Sequence, residues 1–184
     1  MESDRTYTRR GAAGSTFDHV AGEAGVSRGL LHYYFGSKER LLVEVVRHDT
    51  DIRIHTLQER LRGADSMDAI VEALVTQLRE YVEEEPGWHA VIHEMLSAAR
   101  RNDEIRDELA NLYRRVRGEM ADVLRAKEAE GVVKLRTDAD SIASVFLSLA
   151  DGLEVQIASD PDWDSAATVA AAVSVARFLL GERG

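Results

Sequence analysis

A chain of 184 residues with 45% hydrophobic and 30% charged side chains can bury a real core, which excludes an intrinsically disordered protein. It holds no cysteine, which excludes disulfides and thiolate metal sites and makes the cytosol its natural compartment. The formal net charge of −10 is unevenly spread: residues 1–50 carry seven basic and seven acidic side chains, so the whole deficit lies further on, and a neutral head on an acidic body approaches a polyanion head first.

The opening "MESDRTYTRR" has no apolar core of the signal-peptide kind and offers only Met1 and Tyr7 as apolar residues. Thr16 is placed to cap a helix that includes Val20, Ala21 and Ala24. Gly25 then supplies the left-handed residue of a sharp turn, Val26 faces inward, and Ser27 caps a second, short helix. Leu31 and, in part, Tyr34 are expected on its inner side, and Phe35 is expected to cover the junction with the next helix. Ser37 caps that helix, a long amphipathic one with Leu41, Leu42, Val45 and Val46 in its first turns, reaching about Leu61 and broken by Gly63.

Ser66 caps the next helix, with Ile70, Val71, Leu74, Val75, Leu78, Tyr81 and Val82 on one face. Pro86 and Gly87 punctuate before a short helix from Trp88 to about Ala99. Asn102 begins a long one whose stripe runs Ile105, Leu109, Leu112, Val116, Met120, Val123 and Leu124, ending near Gly131. Thr137 is expected to cap the penultimate helix, about 138–158, with Ile142, Val145, Phe146, Leu149, Leu153 and Ile157 as its stripe. Asp164 caps the last, about 165–180, where alanines at 166, 167, 170, 171, 172 and 176 leave little side-chain bulk. Such small residues let helices approach closely, so these last two helices are expected to join a homodimer. No segment shows β periodicity. The longest charge-free run, residues 165–176, is too short and alanine-rich to span a bilayer, and no membrane partner is expected.

The fold class read from this pattern is all-α: a helix-turn-helix head over residues 1–46, its first helix short or incomplete, and a helical body over 47–184 for effector binding and dimerisation. Ala21, Gly25, Val26 and Leu31 stand at the spacing of a helix-turn-helix, where a small residue permits a steep helix crossing and the glycine makes the bend. Arg28, Gly29, His32 and Tyr33 are then left on or near the outer face of the second helix. Arg28 can reach guanine edges or phosphate, Gly29 lets the backbone come close, and His32 and Tyr33 add donors at groove depth. Ser15 or Thr16, together with Ser27 and Lys38, offer helix-start amides and a cation for phosphates on either side.

At these residues the sequence resembles the TetR-type transcriptional regulators, in "TFDHVAGEAGVSRGLLHYYFGSKERLL", with its V-S-x-G-x-L-x-x-Y-F core and the S-K-x-x-L after it. "SVFLSLADGLEVQIASDPD" looks like the penultimate helix of several such regulators, so the resemblance covers nearly the whole chain. It implies an N-terminal DNA-binding head, a helical ligand-binding body and a homodimer joined through the last two helices. Carried over by position, Ser15, Thr16, Arg28, Gly29, His32, Tyr33 and Lys38 match residues near DNA, and His32 stands where tyrosine is more common. The family also carries a full amphipathic helix before the position of Gly11. With Met1 and Tyr7 alone in that stretch, either the start of the chain is missing or the head is poorly braced and binds DNA weakly, each large apolar side chain contributing ~1.5–3 kcal/mol.

His89 and His93 are spaced i, i+4, but no H-E-x-x-H pattern or third ligand accompanies them, so no metal and no cofactor are expected. Trp88, His89, His93, Met95, Leu96, Tyr113 and Phe146 are candidates to line an effector cavity among the middle helices. No catalytic constellation is present, and no catalytic residue is assigned. The function expected is a cytoplasmic DNA-binding regulator, a ligand-responsive repressor that binds a palindromic double-stranded operator as a homodimer and answers a small-molecule effector. The alternative is a helical small-molecule-binding protein or enzyme of this fold with an impaired head. An adaptor acting only through helix packing would leave the Arg28–Tyr33 face unexplained.

Overall fold

The computed structural model of the protein describes residues 25–83, 86–160 and 162–182, and every described regular element is an α-helix. They are α1 (Arg28–Phe35), α2 (Lys38–Gly63), α3 (Met67–Glu83), α4 (Pro86–Ala98), α5 (Asp103–Ala129), α6 (Ala139–Ser159) and α7 (Ala166–Leu179). The helix expected after Thr16, with Ser15, Thr16 and the question of its bracing, lies outside the described residues.

Side chains start these helices where short polar residues precede apolar periodicity. The hydroxyl of Ser37 accepts from the Arg40 amide at 3.2 Å, that of Ser66 from Ala69 at 3.2 Å, and Asn102 Oδ1 from Glu104 at 2.9 Å. Thr137 does not cap α6. Asp138 does, accepting from the Ser141 amide at 2.8 Å, because a carboxylate both bonds the free amide and meets the positive end of the helix with its charge. Pro86 and Gly87 stand inside α4 rather than before it, as the first helical turn has no use for the amide hydrogen that proline lacks.

The chain divides into two compact units, one of residues 1–52 with 83–113 and one of 53–82 with 114–184. In the first, Leu41, Val43, Val46 and Thr50 of α2 are buried, as are Ile92 and Met95 of α4 and Ile105 and Leu109 of α5. Ion pairs join α2 to α5 there: Arg40 to Glu104, and Arg47 to Glu108.

The second unit has one apolar core built from Leu61, Ile70, Val71, Ala121, Leu124, Ile142, Ala143, Phe146, Ala176 and Leu180, among others. Arg60 forks onto Glu80, tying α2 to α3, and Arg177 pairs with Asp68, tying α7 to α3. Lys127, 5% exposed, donates from Nζ to the Arg62 carbonyl at 2.9 Å and to Glu130 at 2.8 Å, so a buried cation closes the C-terminal end of α2. The strap between α5 and α6 runs along the end of α7, with the Lys134 amide on the Leu180 carbonyl and that of Arg136 on Leu179, both at 3.0 Å.

By length and composition α6 could cross a membrane, yet it carries Asp140, Asp151 and Glu154 and buries Ile142, Ala143, Phe146 and Leu153 in the protein. It is a core helix of the second unit. One stripe position, Val145, differs from expectation. Val145 and Phe178 are 39% and 56% exposed, because Ile142, Ala143, Ala176 and Leu180 already fill the core face. Phe178 instead lies under the Arg136 guanidinium, 5.0 Å from the ring centroid.

Candidate nucleic-acid interface

The turn before α1 is built as its residues demand. Gly25 has φ +65°, the left-handed conformation that other residues resist, and Val26 is half-buried. Ser27 then caps α1, its hydroxyl accepting from the Leu30 amide at 3.1 Å. Ser37 binds the first turn of α2 with Gly36 and Ser37 alone between the two helices, so the direction of α1 is tied closely to the start of α2.

Gly29, Leu30, Tyr33 and Tyr34 are the exposed residues of α1 among those whose side chains are described. At about 100° per residue these positions form one continuous face, with half-buried Phe35 on the opposite side. Tyr33 is 82% exposed, as expected. Tyr34 is 71% exposed, which corrects the expectation that it is partly buried. A phenol loses little by staying wet on a two-turn helix, and its ring meets Tyr33 edge to face, with centroids 5.3 Å apart and planes at 84°. The outward face is therefore rotated toward Leu30 and Tyr34, two residues that sequence reasoning did not place there. Their signal was the i, i+4 relation of Leu30 to Tyr34 beside Gly29 and Tyr33.

A Cβ at Gly29 would meet nothing closer than Ser27 Oγ at 3.9 Å, an ordinary contact. Packing within the chain thus does not require a glycine there. Lys38 opens α2, while the side chains of Arg28, His32 and Lys38 are not among those described.

The other candidate residues are divided between the two units. Trp88 and His89 lie on α4 without described side chains. His93 and Leu96 are exposed, Met95 is 1% exposed and Tyr113 half-buried, all in the first unit, whereas Phe146 belongs to the core of the second. Among the described residues no group of three or more His, Cys, Asp or Glu side chains is arranged to hold a metal ion.

A two-turn helix with an exposed aromatic face, set by a left-handed glycine, has the form of the second helix of a helix-turn-helix. Residues 3–45 match the family of bacterial regulatory proteins of the TetR type, and residues 63–180 match the C-terminal part of BetI-type transcriptional repressors. The chain belongs to the TetR family. It is an all-helical, DNA-binding transcription regulator whose C-terminal part is of the repressor type.

The transcriptional regulator BetI of Agrobacterium fabrum is 31% identical, the match covering 86% of this chain and 85% of that one. Among solved structures, a putative transcriptional regulator from Rhodococcus sp. RHA1 superposes with a TM-score of 0.77 at 21% identity, covering 99% of this chain and 92% of its own. Another, from Saccharomonospora viridis and in complex with choline, has a TM-score of 0.75 at 22% identity and covers 96% and 92%. At such identities the two structures show a shared fold. The relatives are transcriptional regulators, a class that acts by binding.

Proposed function

We propose that this TetR-family chain is a ligand-responsive repressor that reads a palindromic operator as a homodimer in the cytoplasm and catalyses no reaction. The single observation that carries the reading of DNA is the exposed face of α1, Gly29, Leu30, Tyr33 and Tyr34, set beside the Gly25 turn. Arg28 and His32 complete the set of base-reading candidates by position. Ser15, Thr16, Ser27 and Lys38 serve the phosphates on either side. The outward Leu30 adds an apolar group suited to a thymine methyl. Residues 1–46 form the DNA-binding head in this reading and 47–184 the effector-binding and dimerising body, a division supported by family matches over 3–45 and 63–180.

The homodimer is supported by α6 and α7. The two helices pack together, and each leaves a stripe of small and apolar residues in solvent. On α6 it is Ser141, Val145, Ser148 and Val155. On α7 it is Ala167, Ala170, Ala171, Ser174, Val175 and Phe178, each with a neighbour in the set three or four positions away. Two such pairs form a four-helix contact between protomers, and the two copies of α1 then enter successive major grooves ~34–36 Å apart.

For the effector, the choline-bound neighbour makes a small quaternary ammonium the first class to test. Within the second unit Glu154, 3% exposed, and Asp151, which accepts from the Tyr81 hydroxyl at 3.4 Å, place two carboxylates one turn apart on α6. A cationic effector needs such charge when it leaves water. Repression is relieved only if the effector binds the non-reading state more tightly than the reading one.

The test is selection of duplexes from a random library by the full chain, then fluorescence anisotropy on a selected and a scrambled duplex with and without choline chloride. Equal affinity for both duplexes overturns sequence reading. Unchanged affinity for the selected duplex in choline removes that ligand class and leaves the DNA assignment standing.

A further inference from the structure

Within the first unit, two arginines of α2 reach two glutamates of α5. Arg40 Nε donates to Glu104 Oε1 at 3.3 Å. Seven residues further along α2, Arg47 forks onto Glu108: Nε donates to Oε2 at 3.1 Å and Nη2 donates to Oε1. Its remaining nitrogen, Nη1, donates to Glu44 at 2.8 Å.

The two ties differ in kind. The side chains of Arg40 and Glu104 are 66% and 59% exposed, so water and salt screen that pair. The Glu108 side chain is only 20% exposed, and it holds both nitrogens of one edge of the Arg47 guanidinium. Hydrogen bonding to Glu108, followed by its charge, holds the Arg47 proton more tightly than in free arginine. A bidentate contact of this sort fixes angle as well as distance.

That matters because, among the described residues of the first unit, the other groups buried on these two helices are apolar apart from Thr50. Leu41, Val43, Val46, Ile105 and Leu109 are all shielded from water, and apolar burial is non-directional, so it resists separation more than it resists a small roll of a helix about its axis. The fork resists the roll. α1 ends at Phe35 and α2 begins at Lys38, so a roll of α2 swings the exposed face of α1 with it.

We propose that the Arg47–Glu108 fork, with Arg40–Glu104 as a weaker second tie, is a positioning device for sequence reading. It sets the roll of α2 against α5 and thereby the base edges that the face of Gly29, Leu30, Tyr33 and Tyr34 can reach. The inference rests on the DNA-reading assignment above, and it goes beyond it in naming residues that touch no base.

Two rival roles make opposite predictions. Arginines that simply contact phosphate would be released by loss of Glu108, strengthening binding to every duplex. A pair that only stabilises the fold would lower specific and non-specific binding together with thermal stability. The experiment uses the full chain, a duplex selected by the wild type from a random library, a scrambled duplex of equal length, and the thermal midpoint of each protein.

Glu108→Gln is expected to lower the ratio of selected to scrambled affinity by about fivefold or more, with scrambled binding unchanged. Arg47→Lys keeps the charge and loses the fork, and it too is expected to lower the ratio. The exchange of Arg47→Glu with Glu108→Arg is expected to restore it. Equal ratios in the wild type and both single variants overturn the positioning role. So does uniform strengthening in Glu108→Gln, or a ratio that falls only as the midpoint falls and is not restored by the exchange. A wild type that recovers no preferred sequence defeats the DNA-reading assignment itself, a result distinct from all of these.

Discussion

Gly181 sits beneath Lys134 so closely that a Cβ on the glycine would lie 2.2 Å from the Lys134 carbonyl oxygen. Its φ of +103° is also one that residues with a side chain resist. The Lys134 amide bonds the Leu180 carbonyl beside it, so neither backbone is free to withdraw. Gly181→Ala should therefore destabilise the chain by about 2–3 kcal/mol, read as a lowered urea midpoint with unchanged slope. A midpoint within error of the wild type would show that the strap yields without cost.

Acid should weaken the second unit in a way that Glu80 reports. Arg60 donates to both Glu80 oxygens, at 2.6 and 2.7 Å, and this hydrogen bonding holds the carboxyl below its ordinary value of 4.5. A carboxyl depressed in the folded state adds stability that is complete above its unfolded value and is lost as pH falls through the folded one. Glu80→Gln should thus be less stable than the wild type at neutral pH by about 0.5–1 kcal/mol, both side chains being part-exposed. The two midpoints should converge as pH drops below the ordinary carboxylate range. A difference that stays constant down to acid pH would assign the loss to shape rather than charge.

On α1, stability and DNA binding should separate. Gly29→Ala places a good helix former where nothing in the chain obstructs it, so helix stability should rise by about 0.5–1 kcal/mol while affinity for the selected duplex falls. Tyr33→Ala should weaken the selected duplex far more than a scrambled one. Lys38→Ala should weaken both nearly equally and lower the slope of log affinity against log salt by about one. If Gly29→Ala binds the selected duplex as tightly as the wild type, the close approach at this face is wrong.

The proposed dimer rests on side chains exposed in the single chain. Val155 and Val175 are 44% and 42% exposed on the outer stripes of α6 and α7. Val155→Arg and Val175→Arg should each convert a dimer to a monomer in size-exclusion chromatography with light scattering, with helical circular dichroism retained. Affinity for a two-fold operator should fall by more than about tenfold, since one half-site then binds without the other. A wild type that elutes as a monomer at micromolar concentration, or variants that remain dimeric, would sink this arrangement.

From residue order alone the chain already disclosed its described helices, α1 to α7, and most of their starts, because capping and 3.6-residue periodicity are local properties. Ser27, Ser37, Ser66 and Asn102 each bond the helical turn just after them. The bend at Gly25 was equally legible, since few residues other than glycine accept that φ. Local rules misjudged Thr137, where the adjacent carboxylate of Asp138 takes the cap.

What only the folded arrangement decided is which face of each helix is outermost and which distant charges meet. Tyr34 and Leu30 turned outward, and Val145 and Phe178 stayed in solvent, because exposure depends on neighbours that periodicity does not name. Arg47 meets Glu108 across 61 positions of chain, a pairing that exists only once α2 and α5 lie side by side. Sequence determined the helices because their hydrogen bonds close within four residues. The tertiary fold alone chose the partners, because side-chain contacts between helices carry no fixed separation along the chain.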